Sequence, residues 1–180
     1  MAKILIIYST TDGHTLKISH FLQQVLEQKE HQVKLVSIDD AANIELQLFD
    51  KIVIGASIRY GKHSPHIYQF IKKHQLLLES KANAFFSVNL VARKPGKNLP
   101  DTNPYVKKFL KQIAWHPREV AVFAGKIDYP AYSAFDRQII RAIMWITHGP
   151  TDPETVVEFT DWEQVKAFGQ LISNKFINYR

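Results

Sequence analysis

An unbroken apolar run, Ile4-Leu5-Ile6-Ile7-Tyr8, passes directly into a hydroxyl-rich turn, Ser9-Thr10-Thr11-Asp12-Gly13-His14-Thr15. The run is too short for a buried helix, and without polar alternation it fits a strand covered on both faces, as in the middle of a parallel sheet. After the turn, Leu16, Phe21, Leu22, Val25 and Leu26 recur at helical spacing. Gly13 permits a tight turn, and a helix start with free N–H groups and neighbouring hydroxyls suits a phosphate. The same residue types also make an ordinary N-cap.

The rest of the chain repeats this rhythm. Strands are expected near Ile4–Tyr8, Gln32–Ser37, Lys51–Ala56, Ala84–Asn89 and Val120–Ala124, and helices near Thr15–Lys29, Pro65–Glu79, Pro104–Ile113 and Asp161–Phe176, with a short turn or helix at Asn43–Leu48. Strand and helix in alternation imply a sheet wound on both faces, with ligands at the carboxyl ends of the strands. A single domain over residues 1–180 is expected from the length and the 46% hydrophobic content. The segment 126–152 is an insertion after the fifth strand, far longer than the roughly 2–6 residues usual for such connections. Within it Tyr129–Tyr132 reads as a turn, Ser133 and Asp136 as a capping box, and Phe135–Ile146 as a helix ended by Gly149-Pro150. That helix is apolar over most of its surface, and it must bury against the domain, another subunit, a hydrophobic substrate or lipid.

Composition narrows the chemistry. With no cysteine, thiol redox chemistry and iron–sulfur ligation are excluded, and the eight histidines lack metal-ligand spacing, so no metal is expected. His63 and His66, on either side of Ser64-Pro65, read as surface or capping residues. No secretory leader is recognisable and no run approaches the roughly 20 apolar residues of a membrane span, so a cytoplasmic location is expected. Charge is uneven. Residues 59–126 hold 13 basic and 3 acidic side chains, Arg59, Lys62, Lys72, Lys73, Arg93, Lys94, Lys97, Lys107, Lys108 and Lys111 among them. Such a region either draws in an anionic partner or merely keeps a face solvated; nucleic acid is not expected, because no binding motif accompanies it.

The stretch 8–15 resembles the phosphate loop of flavodoxins, with Tyr8, Thr10, Gly13 and Thr15 filling its pattern of aromatic, hydroxyl, small residue and threonine. Asp12 departs from it, where an uncharged residue is usual, and should point away from a phosphate. The resemblance implies a flavodoxin-like, doubly wound, five-stranded parallel sheet of order 2-1-3-4-5 with a helical insertion after strand five. It also implies FMN, held by Thr10, Thr11, Asp12, Gly13, His14 and Thr15 at the phosphate, by Ser57, Ile58, Tyr60 and Gly61 after strand three, and by Ser87, Asn89, Leu90 and Val91 after strand four. Gly55-Ala56-Ser57 stands where a response regulator of similar fold needs an aspartate. The loop after strand four has no aromatic, so one ring face is expected to be open to a substrate.

The motifs VIGASIRYG at 53–61, FFSVNLVARKP at 85–95, YPAYSAFDR at 129–137 and FTDWEQV at 159–165 are more specific. Through them essentially the whole chain resembles the flavodoxin-like, quinone-dependent protoporphyrinogen IX dehydrogenases of bacterial haem synthesis. That implies a flat macrocyclic substrate with two propionates, for which Arg59, Arg93, Arg137 and Arg141 are candidate contacts, and a membrane quinone as acceptor. It further implies peripheral attachment to the cytoplasmic face of the inner membrane through Phe135–Ile146 and the basic region. Tyr60, His63 and Asn89 are loop-placed groups with no assigned catalytic role. A flavodoxin-type electron carrier, an NAD(P)H-quinone reductase and a flavin-free interaction module remain alternatives, and a homo-oligomer is not excluded.

Overall fold

The structure, a computed structural model, describes residues 1–174. Its frame is a five-stranded parallel sheet of β1 (Lys3–Ser9), β2 (Gln32–Ser37), β3 (Lys51–Ser57), β4 (Ala82–Asn89) and β5 (Glu119–Ala124), in the order β2-β1-β3-β4-β5. Connecting these are α1 (His14–Glu27), α2 (Pro65–Ser80), α3 (Pro104–Gln112) and, after β5, α5 (Trp162–Asn174). The elements fall where the periodicity puts them, with ends moved by one or two residues. Lys175 and Phe176, expected to finish the last helix, lie outside the described residues. The stretch expected as a turn or helix at Asn43–Leu48 is two 3-10 turns, Ala41–Asn43 and Leu46–Leu48.

The apolar run of β1 is covered on both sides because its alternate residues feed two cores. Leu5 and Ile7 pack with Ile52, Ile54, Phe85, Phe109 and Trp115 on one face. Ile4 and Ile6 pack with Leu22, Val53, Phe86, Phe123, Phe168 and Ile172 on the other. Register Ile6↔Val53 and Val53↔Ala84 carries the pattern across the central strands, leaving the ends of β1, β3 and β4 side by side at one edge. Close approach fixes two glycines. A Cβ on Gly55 would overlap the Phe86 ring, and one on Gly169 would sit 2.8 Å from Val25, where α5 crosses α1.

The chain between β5 and α5 is more ordered than the sequence suggests. Besides α4 (Ala134–Ile146), capped by Ser133, whose Oγ accepts the Asp136 amide at 3.1 Å, it contains two three-residue strands. β6 (Lys126–Asp128) and β7 (Val156–Glu158) pair antiparallel, and Val156–Glu158 falls beyond the expected limit of the segment. Ile127, Tyr129, Tyr132, Ile140 and Met144 form a small core of their own, against which Leu90 of the loop after β4 packs. Of the four fates open to the apolar helix, Ile140 and Met144 meet the first, burial within the chain, while Phe135, Trp145 and Ile146 stay exposed.

Gly55→Ala should lower the stability of the fold by about 1–3 kcal/mol, because the added methyl needs the space filled by a fixed core ring. Urea unfolding checks this.

Candidate functional site

A cavity opens at the carboxyl ends of β1, β3 and β4. The turn after β1 contributes Thr10, Thr11, Asp12, His14 and Thr15; the loop after β3 contributes Ser57, Ile58, Arg59, Tyr60 and Gly61; the loop after β4 contributes Asn89, Leu90, Val91 and Arg93. Gly13 and Ser87 do not line it. Gly13 instead caps α1 in the left-handed conformation, φ 80°, and Ser87 is wholly buried beneath the floor. The far wall comes from α3 and the insertion through Tyr105, Tyr132, Ile140, Ile143, Met144 and Thr147. The cavity is thus closed on that side by residues remote in sequence from the three strand-end loops.

At the α1 end the geometry calls for an anion. Thr10 Oγ1 and Thr15 Oγ1 are buried without a hydrogen-bond partner. The first-turn amides of α1 have no intrahelical acceptor, and Gly13 supplies no side chain to cap them. Two stranded hydroxyls and a helix N-terminus fit a phosphate group. His14 donates from Nε2 to Thr160 Oγ1 at 2.6 Å, and that hydroxyl donates to the Ala124 carbonyl at 2.7 Å. Burial holds the His14 pKa below its usual value, against the pull of Glu158.

Asp12, the departure from the loop pattern, turns to Arg59. The Arg59 guanidinium gives one N–H to Asp12 Oδ2 and another to Asp136 Oδ2 of α4, both at 2.8 Å, and lies 5.3 and 5.6 Å from the ring centres of Tyr60 and Tyr132. Asp136 also accepts from the Tyr60 hydroxyl and, at 2.9 Å, from Ser133. Those hydroxyls hold its carboxyl below the usual range, whereas burial lifts that of Asp12. Tyr60 reaches this position with a positive φ of 49° beside Gly61 at 76°. One side chain therefore clasps the phosphate turn, the loop after β3 and the insertion together.

Below the floor runs a buried chain of polar groups. Asn103 Nδ2 donates to Asn89 Oδ1, Asn89 Nδ2 to Ser87 Oγ, and Ser87 Oγ lies 3.5 Å from His63 Nε2, while His63 Nδ1 donates to the Ser57 carbonyl at 3.1 Å. His63 was expected at the surface; it is 3% exposed, set against the Phe85 and Phe109 rings. Asn89 uses its side chain for this chain and to cap the turn at Leu90–Arg93. With the Ile58 amide given to Val88 O at 3.0 Å, the Ser57–Ile58 peptide is committed on both sides.

The four arginines expected at a substrate fare differently. Arg137 and Arg141 do not line the cavity; they reach the carbonyls of Tyr132 and Thr151 and hold the insertion together. Arg59 lines it but is already matched by two carboxylates. Arg93 lines it and meets only neutral oxygens.

Comparison with known proteins gives this arrangement a family. A family profile described as "Flavodoxin domain" matches residues 5–154. A protein named protoporphyrinogen IX dehydrogenase [quinone] from Escherichia coli (strain K12) is 42% identical over 172 residues, 96% of this chain and 95% of its own length. The chain belongs to this family of flavodoxin-like dehydrogenases. A protein of the same name from Leishmania major is 43% identical over 167 residues, 92% of this chain and 72% of its own. Among solved structures, a WrbA-like flavodoxin from Agrobacterium tumefaciens superposes with a TM-score of 0.56 at 15% identity over the full length of both chains. Flavodoxin 2 from Bacillus cereus gives 0.55 at 19% identity over 97% of this chain and 99% of its own. At such identities the likeness to the solved structures concerns the fold alone. The Arg59 clasp leaves no mark in the spacing of its partners along the chain; its one signal in the sequence is Asp12, an acid in a turn where an uncharged residue is usual.

Burial pushes the His63 pKa down to about 4 from 6.5. Above pH 6.5 the ring is neutral folded or unfolded. As pH falls from 6.5 to about 4 the unfolded chain takes up a proton that the folded chain refuses, so stability declines across that window and levels off below it. His63→Gln should flatten the decline by about 3 kcal/mol, read as the difference between the urea-unfolding stability profiles of the two proteins against pH.

Proposed function

We propose that this protein binds FMN and oxidises protoporphyrinogen IX to protoporphyrin IX with a quinone as acceptor, three quinones being reduced for the six hydrogens removed. The observation that carries this reading is the 42% identity, across 96% of the chain, to a dehydrogenase so named. The cavity supports it, being hydroxyl-rich and anion-seeking at the α1 end and apolar at the insertion end.

FMN, when bound, supplies the redox chemistry by accepting electrons two at a time and passing them on to the quinone. The chain's own residues bind and shield. Thr10, Thr15 and the start of α1 take the phosphate; the loops carrying Ser57, Ile58, Gly61, Leu90 and Val91 hold the ring. The buried chain from Asn103 to Ser57 stiffens both loops, and the insertion, through Tyr132, Ile140, Ile143 and Met144, keeps water from the apolar end. A flavodoxin-type carrier fits less well, because its partners usually meet an acidic face and here the middle of the chain is cationic. Anaerobic addition of protoporphyrinogen IX to the FMN-loaded protein should bleach the flavin absorbance, and menaquinone should restore it. A flavin inert to the porphyrinogen but bleached by NADPH would replace this reading with that of an NAD(P)H-quinone reductase.

A bilayer-dissolved acceptor requires contact with the membrane, and we place that contact at α4, on the cytoplasmic face. No helix among the described residues is long and apolar enough to cross a membrane. Yet α4 exposes Phe135 at 72% in its first turn and Trp145 at 76% and Ile146 at 68% in its last, about 15 Å further along the helix. Exposed aromatic and aliphatic groups together with lysines such as Lys72, Lys73, Lys107 and Lys108 supply the apolar and electrostatic signals of a peripheral protein. The double variant Phe135→Asp, Trp145→Asp should lose on the order of tenfold or more in cosedimentation with anionic phospholipid vesicles while keeping its FMN. Unchanged vesicle binding would remove α4 from the role.

A further inference from the structure

Arg93 is the one arginine lining the cavity without a carboxylate partner among the described residues. It is anchored at the turn that ends β4, where one N–H goes to the Leu90 carbonyl at 2.8 Å. Its other terminal nitrogen reaches Thr147 O at 3.2 Å and Thr147 Oγ1 at 3.0 Å, at the end of α4. Those three contacts leave two of the five guanidinium N–H groups uncommitted. Gly149 lies so close that a Cβ there would sit 2.8 Å from the guanidinium, which fixes its back against the insertion. Burial holds the Arg93 pKa below its ordinary value, and only the Tyr129 phenol, with no carboxylate beside it, pulls the other way. The cavity it lines carries an aliphatic set, Leu90, Val91, Ile140, Ile143 and Met144, from the same turn and from α4.

A partly buried cation with only neutral partners is incomplete, since desolvation is compensated far better by an anion than by carbonyls. Arg59 differs in this respect: two carboxylates already share it, and a further anion there would meet net negative charge. We propose that Arg93 is the substrate's carboxylate anchor, pairing with a propionate of the porphyrinogen while the apolar macrocycle lies on the aliphatic wall beside it. The assignment rests on the dehydrogenase reading and adds an orientation to it. The propionate edge faces the junction of the β4 turn with the end of α4, and the opposite edge lies toward the Arg59 clasp.

The test compares protoporphyrinogen IX with its dimethyl ester, which keeps the macrocycle and removes both charges. Steady-state oxidation is measured with the FMN-loaded protein in nonionic detergent with a short-chain quinone. The wild type should prefer the diacid in kcat/KM by about 10- to 100-fold, the range expected of a hydrogen-bonded ion pair. Arg93→Gln should lose that preference by slowing far more on the diacid than on the ester, mainly through KM, and Arg93→Lys should keep part of it. An equal loss on both substrates, or an acid preference that survives in Arg93→Gln, overturns the assignment. A defect seen only with anionic phospholipid vesicles and not in detergent would assign Arg93 to lipid phosphate and overturn it as well. Should Arg93→Gln fail to fold, the preference is read from Arg93→Lys, which must then fall below wild type. A wild type that oxidises neither compound refutes the dehydrogenase reading itself; one that oxidises both equally refutes only the anchor.

Discussion

The Arg59 guanidinium is the point at which three separate pieces of chain become one site. Asp12 comes from the turn after β1, Tyr60 from the loop after β3, and Asp136 from the first turn of α4. The two loops and the helix start come from separate parts of the chain, and this side chain ties them together. A planar fork that donates in two directions can satisfy two carboxylates at once, and its flat faces can lie against Tyr60 and Tyr132; an ammonium could do the first only loosely and the second less well. Because its side chain is only 23% exposed, the pairing is screened less than a surface ion pair. The clasp also explains why an acid is tolerated beside an expected phosphate. Asp12 is half of an ion pair, and its charge is matched before any anion arrives.

Roof and floor of the cavity are held by different physics. The floor consists of strand ends fixed by the sheet and by the neutral buried chain of His63, Ser87, Asn89 and Asn103, in which a lost partner strands a polar atom. The insertion roof rests on a small apolar core, the Tyr129 hydroxyl bonded to Pro150 O at 2.7 Å, the contacts of Arg93 and the clasp. A chain built this way fixes the strand-end loops through the sheet and the buried polar chain, while the insertion wall is attached by a few specific contacts.

Much of this was legible in the sequence, and the reason is periodicity. Ile4–Ile7 and Ile52–Ile54 announce doubly covered strands, and the helical stripes of α1 and α5 announce their covers, so the sheet order followed from the family resemblance and agrees with the fold observed. The hairpin of β6 and β7 was not legible, since three-residue strands some 30 residues apart leave no pattern to detect. His63 was misread for a different reason: a histidine beside Ser64-Pro65 looks like a loop residue, and only the tertiary packing of Phe85 and Phe109 buries it. Arg137 and Arg141 share a helical face as expected, yet that face holds the insertion's own turns. Spacing along a helix tells which residues are neighbours, not which surface they meet.

The same distinction applies to charge. The cationic excess of residues 59–126 suggests a positively charged site, but the structure disperses it. Lys72, Lys73, Lys107, Lys108 and Lys111 stand exposed on helices around the sheet, Arg59 is neutralised by two acids, and Lys126 at the cavity wall is paired with Asp128 at 2.7 Å. What reaches the cavity is a near-neutral rim with one unmatched guanidinium at its apolar end. Net charge governs how the whole molecule approaches an anionic surface, where many weakly screened charges add. Orientation inside the cavity depends on which single cation has been left without a partner, and that is decided by the fold.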